Sequence, residues 1–398
     1  MKILDIKAFF KAPFLLAMCI AFIQFACKLD VNQPVEPPPN SWDESLNTHP
    51  KGAAFQKLLD EYVKRGLPGV VMFVKSPVGI WNGAAGYAKL ETKELMTPTN
   101  LHYSDSMAKT YIGTAIMMLV EEGKIELDAK INQFLPRNIC DNIGNGNEAT
   151  LRQLLNHTSG IKDYDEDITF RLDFLNDPFR PIPPEKLLEY IYGESPYFPA
   201  GRGHQYSDTN YLLLAMIMDR VLGESHAKFI SERIIRHLGL ENTYYKNEPA
   251  YPKPPGLVNV YVDFRGNGQL TNWSAEQNAL YEGILVGSAG FIASSYDYAR
   301  FLEALFNEEL VSQASLDEMT NGFKNSEHGL GLEFCPRSTG CGKAMGHSGG
   351  GLGSQSDMYY YPDANTYIVC LTNVGGYVGK VGDLFDEFYY AAEDAVFK

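Results

Sequence analysis

Apolar positions recur at helical spacing between Ala54 and Arg65, where Phe55, Leu58, Leu59, Tyr62 and Val63 fall on one face. Gly66 and Pro68 then stop the helix, as glycine and proline do past a C-terminus. The next stretch, GVVMFVKSPVGIWNGAAGYA, predicts two strands joined around Ser76-Pro77. From about Thr99 to Tyr245 the pattern is mostly helical. Ser106 to Glu122 is apolar nearly all round, which predicts a helix buried on every side. Gly123 ends it. Leu151–Leu155 and Tyr211–Leu222 read as further helices. The character changes near the C-terminus. Lys343–His347, Ser354–Tyr361 and Thr366–Asn373 predict three strands, with a turn at Pro362–Asn365 and an amphipathic helix from Gly382 to Phe397. Strands at both ends and helices between them predict an α+β fold. Its antiparallel sheet is built from N- and C-terminal strands and flanked by helices, with an all-helical insertion over roughly 125–280.

The first 27 residues stand apart. Lys2, Lys7 and Lys11 precede an apolar run from Ala12 to Ala26. That run is about 15 residues, shorter than the roughly 20 a spanning helix needs, and reads as a secretory signal. Cys27 follows it, an arrangement that resembles a bacterial lipoprotein signal, with Cys19 as the weaker acylation site. Residues 28–52 are Pro-rich and polar, as suits a tether. The expected plan is a signal over 1–27, a tether over 28–52 and one folded domain over 53–398. This places the protein in the bacterial periplasm or cell envelope, lipid-anchored at Cys27. Cys335 and Cys341 flank a turn-like PRSTG, so both a disulfide and two free thiols stay open.

Composition narrows the classes. Apolar residues make up 45% and charged residues 21%, ordinary for a globular protein with a sizeable core. The net charge of −15 and the lack of a basic run argue against a nucleic-acid partner. The membrane is expected only through the anchor, and the chain is expected to act as a monomer.

Ser-x-x-Lys places a hydroxyl and an amine on one helix face. A buried lysine that loses its charge can take the serine proton. The pattern occurs at Ser106/Lys109, Ser159/Lys162 and Ser225/Lys228. Only Ser106 opens the all-round apolar helix, where its hydroxyl meets the positive helix end and Lys109 is desolvated.

LHYSDSMAKTYIGTAIMMLVEEGKIELDAKINQFLP is similar to the first motif region of serine β-lactamases and penicillin-binding proteins, nearest the class C β-lactamase and DD-peptidase/esterase branch. LRQLLNHTSGI, FPAGRGHQYSDTNYLLLAMIMDRVLG and GSAGFIASSYDYARFLEALF resemble other segments of that family. The resemblance runs from about Ala53 to the C-terminus. Tyr206-Ser207-Asp208 stands where the family has Tyr-x-Asn, and His347-Ser348-Gly349 stands where it has Lys/His-Thr/Ser-Gly. Other stretches mimic single motifs, among them Tyr245-Lys246-Asn247 and the Gly-x-Ser-x-Gly of Gly346–Gly350. Order and spacing favour the first set.

The resemblance implies Ser106 as nucleophile, Lys109 and Tyr206 sharing the general-base role, and Tyr206 protonating the leaving group. His347 would orient Tyr206 or a substrate carboxylate. Asp208, Ser348 and Gly349 would contact substrate. The backbone N–H groups of Ser106 and Gly350 would form the oxyanion hole, each worth about 3–4 kcal/mol in the transition state. No cofactor or metal is implied. The expected substrate is a small molecule or peptide carrying an amide or ester. A D-alanyl-D-alanine carboxypeptidase leads, and a β-lactamase or small-ester hydrolase is the alternative. A non-hydrolytic penicillin-sensing module and a structural envelope protein are readings of other classes. Asp208 departs from the family's Asn. An ionised Asp cannot donate to a substrate's acylamino carbonyl, so free amines or simple esters are expected to be preferred; the alternative is that Asp208 pairs with Lys109 or Asn210 and merely holds the site.

Overall fold

The computed structural model describes residues 42–398 apart from 247–249, 252, 322–326, 336–342 and 377–379. The signal, most of the tether and Cys341 lie outside the described residues. Cys335 is described, and it is buried.

A seven-stranded antiparallel sheet organises the molecule. Its strands are β1 (Gly69–Ser76), β2 (Gly79–Lys89), β3 (Glu94–Leu95), β4 (Glu333–Cys335), β5 (Ala344–Gly350), β6 (Gln355–Tyr361) and β7 (Thr366–Thr372). Their spatial order is β3-β2-β1-β7-β6-β5-β4. The N-terminal strand β1 pairs with the C-terminal β7 through Val70↔Thr372 to Lys75↔Tyr367. The two ends of the chain therefore meet at the centre of the sheet, as expected from the strand pattern.

Alternation along each strand feeds two cores. Val70, Met72 and Val74 of β1 join Tyr359, Tyr361, Ile368 and Cys370 on one face. That face is covered by α1 (Gly52–Arg65) and by the C-terminal helix Lys380–Phe397. Val71 and Phe73 point the other way, with Met345, Met358 and Val369, into a larger core shared with the helices of the middle segment.

Two helices of that segment matter for the site. The first, α2 (Ala108–Glu121), is buried over every residue from Ala108 to Leu119, which matches its apolar pattern. A 3₁₀ turn, Asp105–Met107, leads into it. The second, α3 (Asp208–Leu222), is buried from Thr209 to Met218 and ends at the left-handed Gly223. Two-residue strands at Thr243–Tyr244, Tyr261–Val262 and Thr271–Asn272 interrupt the otherwise helical segment.

The strand pattern differs from expectation at the sheet edge. The strand predicted to end at His347 runs on to Gly350. The edge strand β4 spans three residues, too few for alternation to show in the sequence.

Candidate active site

Ser106 stands in the turn before α2, and Lys109 one turn on has no side-chain exposure. The Lys109 ammonium uses three directions. It donates to Ser106 Oγ at 2.9 Å and to the Ser288 carbonyl at 3.1 Å, and Asp208 Oδ1 lies 2.7 Å away. The sequence led us to expect a desolvated lysine, with pairing to Asp208 as one reading; the structure gives it that carboxylate counter-ion. Asp208 is the first residue of α3, and its N–H donates to Asp163 Oδ2 at 3.0 Å. Burial and then the neighbouring Asp208 hold the Asp163 carboxyl well above the usual range. Asp163 therefore favours its neutral form beside the Asp208 carboxylate.

Tyr206 precedes α3 by two residues, and its ring centroid lies 4.8 Å from Lys109 Nζ. The ring stacks on His157 at 4.3 Å and 26°. His157 is buried with φ +58°, and its Nδ1 accepts from the Ser207 N–H at 3.2 Å. The Nε2 atom of a neutral ring then carries the proton. His157 thus packs beneath Tyr206 as a platform.

His347 points from β5 to the helical side, its ring centroid 6.3 Å from that of Tyr206. Its Nδ1–H donates to the Ser348 carbonyl at 2.6 Å, with Glu333 Oε2 3.7 Å away. Burial pushes His347 down to about 4, against the pull of Glu333. Nδ1 therefore keeps its hydrogen at neutral pH and Nε2 is an acceptor.

Ser348 and Gly349 both make close contacts within the protein. The Ser348 side chain faces the opposite side of the sheet from His347, as strand alternation demands. Its hydroxyl and its N–H both donate to Glu333 Oε2, at 2.6 and 2.8 Å, and the Tyr359 hydroxyl joins them at 2.8 Å. Gly349 faces the nucleophile turn instead. A Cβ there would lie 2.4 Å from the Ser104 carbonyl and 2.5 Å from Ser356 Oγ, so glycine permits the close approach of strand and turn. The Ser348 N–H points away from β6 toward the sheet edge, and alternation along β5 turns the Gly350 N–H the same way.

The other motif matches lie elsewhere. Ser159 donates to Asn210 at 2.6 Å, Ser225 caps a helix, and Tyr245 is buried against His226 and Phe291. The Gly346–Gly350 stretch lies within β5, not at a strand-to-helix turn. Sequence reasoning missed Asp105, Asp163, Ser288 and Glu333. Each acts through a partner distant in sequence, so no local spacing marks it.

His204, Glu327 and His328 bring potential ligand atoms within 4.8 Å of one another. The rings of His204 and His328 lie 4.9 Å apart, centroid to centroid, at 24°.

A family model described as Beta-lactamase matches residues 55–386. "Penicillin-binding protein 4*" of Bacillus subtilis (strain 168) is 25% identical over 332 residues, covering 78% of this chain and 69% of the relative. The chain spans about two thirds of the length of the first curated relatives it matches, 66% and 69%. Among solved structures, a D-stereospecific amidohydrolase from Streptomyces sp. is 28% identical with a TM-score of 0.73, covering 86% of this chain and 99% of that one. A D-amino acid amidase from Ochrobactrum anthropi SV3, solved with D-phenylalanine, shares the fold at 23% identity and a TM-score of 0.73, covering 87% and 99%.

Proposed function

The chain belongs to the beta-lactamase family of serine hydrolases, and from that premise we propose that it hydrolyses small D-aminoacyl amides or esters through an acyl-enzyme on Ser106. The observation that carries the substrate choice is the 2.7 Å contact between Asp208 and Lys109. A D-alanyl-D-alanine carboxypeptidase, the leading expectation from sequence, must hold the substrate's terminal carboxylate with a cation. Here the Lys109 charge is taken by Asp208, and His347 is neutral at physiological pH. The Asp208 carboxylate, standing where the family has an amide, suits a substrate ammonium instead, because a carboxylate accepts hydrogen bonds and donates none. The D configuration rests on the similarity to the D-stereospecific amidohydrolase.

In this mechanism Ser106 Oγ attacks the acyl carbonyl. Lys109, hydrogen-bonded to Oγ at 2.9 Å, steadies the hydroxyl as it gives up its proton. Tyr206 receives it as a phenolate favoured by the cation beside its ring. The tetrahedral oxyanion lies between the Ser106 and Gly350 N–H groups. Tyr206 returns the proton to the departing amine or alcohol as the C–N or C–O bond breaks. It then takes a proton from the water that attacks the acyl-enzyme, and Ser106 recovers its hydrogen when the acid leaves.

The test is a comparison of kcat/KM for a D-aminoacyl amide, its N-acetyl derivative, a D-alanyl-D-alanine peptide and a cephalosporin. The free-amine substrate should lead by at least about tenfold, which is about 1.4 kcal/mol of transition-state binding. A lead for the carboxylate-terminated peptide would restore the carboxypeptidase reading.

A further inference from the structure

Asp105, the residue before Ser106, is buried and left-handed, with φ +43°. A residue with a side chain rarely holds that conformation unless its surroundings impose it. Three hydrogen bonds do so here. The Asp105 N–H donates to the Tyr281 phenol oxygen at 2.7 Å, and that phenol donates to Oδ1 at 2.9 Å. Ser354 Oγ donates to Oδ2 at 2.7 Å. Tyr281 belongs to the helix Ser274–Gly283. Ser354 belongs to the turn between β5 and β6, which follows Gly350 directly.

The Asp105 side chain thus joins the segment carrying the Ser106 N–H to the segment carrying the Gly350 N–H. The join has no slack. A Cβ on Gly351 would lie 2.9 Å from Asp105 Oδ1, and one on Gly349 would lie 3.0 Å from Asp105 Cβ. Ser356 Oγ donates to the Ser104 carbonyl at 2.8 Å and fixes the other side of the same turn.

We infer that Asp105 is a positioning residue that sets the separation of the Ser106 and Gly350 N–H groups, and with it the fit of the oxyanion hole. The inference rests on the proposed role of those two groups. It makes Asp105 matter for the tetrahedral state and not for ground-state binding, because only the tetrahedral oxygen lies between both donors.

Asp105→Gly keeps the left-handed backbone at no strain and removes the carboxyl. Asp105→Asn keeps the shape and an acceptor, and the hydroxyls of Ser354 and Tyr281 rotate to suit. The variants are compared by kcat and KM on a D-aminoacyl ester, by Ki for phenylboronic acid, which forms a tetrahedral adduct with a serine oxygen, and by Tm. Asp105→Gly should lower kcat about 10–100-fold with KM within about twofold, and raise the boronate Ki by a similar factor, since displacing reacting groups by about 1 Å costs that order. Asp105→Asn should recover most of the loss. Ser354→Ala, which cuts one leg alone, should give a smaller change of the same sign, and it provides the reading if Asp105→Gly does not fold. A folded Asp105→Gly or Ser354→Ala enzyme with unchanged boronate Ki overturns the inference, as does a loss that appears equally in KM. The underlying reading fails separately, when a fluorophosphonate does not label Ser106 in the wild type.

Discussion

Asp208 Oδ1 lies 2.7 Å from Lys109 Nζ, and Ser106 Oγ lies 2.9 Å from the same ammonium. One buried cation therefore links the nucleophile on the α2 turn to the start of α3. The pair holds two elements whose sequence positions are 100 residues apart from Ser106 to Tyr206, and it assigns the lysine's charge before any substrate arrives.

Asp208→Asn tests what the carboxylate does. The amide removes the negative charge and gains a donor N–H. The ratio of kcat/KM for a free-amine D-aminoacyl ester to that for a cephalosporin should fall about tenfold or more, from losses on the first and gains on the second. An unchanged ratio makes Asp208 a purely structural counter-ion.

Glu333 and His347 set an acid limit. His347 is held down at about 4, so its neutral form persists through the physiological range and activity falls only as pH drops toward that value. The Glu333 carboxylate pulls the His347 value upward. Burial would raise Glu333 itself, but His347 and the donors of Ser348 and Tyr359 hold it below the usual carboxylate range. Glu333→Gln should therefore move the acid limb of kcat/KM to lower pH. A limb that stays in place, or moves upward, removes His347 as its origin.

His102 gives a stability prediction away from the site. Both ring nitrogens are buried without a hydrogen-bond partner, and burial pushes the ring down to about 3 from an ordinary 6.5. Below pH 6.5 the unfolded histidine binds a proton that the native one refuses, so stability is lost as pH falls from 6.5 toward about 3. His102→Leu removes that loss and one unsatisfied polar group worth about 1–3 kcal/mol. The stability gain over wild type, followed by urea unfolding, should grow by about 1.4 kcal/mol per pH unit between pH 6 and 4. A gain independent of pH would show that His102 does not titrate this way.

Anchoring is tested by metabolic fatty-acid labelling in a bacterial host. The short apolar run before Cys27 and the Pro-rich stretch after it lead us to expect label that Cys27→Ser abolishes. Label that survives the substitution points to Cys19.

The sheet was legible because its strands carry clear signals: β1 is an uninterrupted apolar run, β6 and β7 are rich in aromatic and branched residues, and turns punctuate them. The buried α2 helix was equally plain. What local pattern could not reach was long-range pairing. Glu333 meets Ser348 15 residues away and Tyr359 26 away, from a strand of three residues. Ser348 and Gly349 lie inside a recognisable motif, yet strand alternation turns one to the far face of the sheet and packing turns the other toward Ser104. Motif membership located the segment without saying which way each residue points. No local pattern singles out Asp105 in YSDSMAK; its left-handed backbone and its ties to Tyr281 and Ser354 exist only in three dimensions.

Covalent chemistry on Ser106 is tested by intact-mass spectrometry after treatment with a fluorophosphonate. A single adduct is expected in the wild type, mapped to the peptide containing Ser106, and none in Ser106→Ala of unchanged Tm. An adduct that persists in Ser106→Ala, or that maps to Ser348 or Ser159, would contradict it.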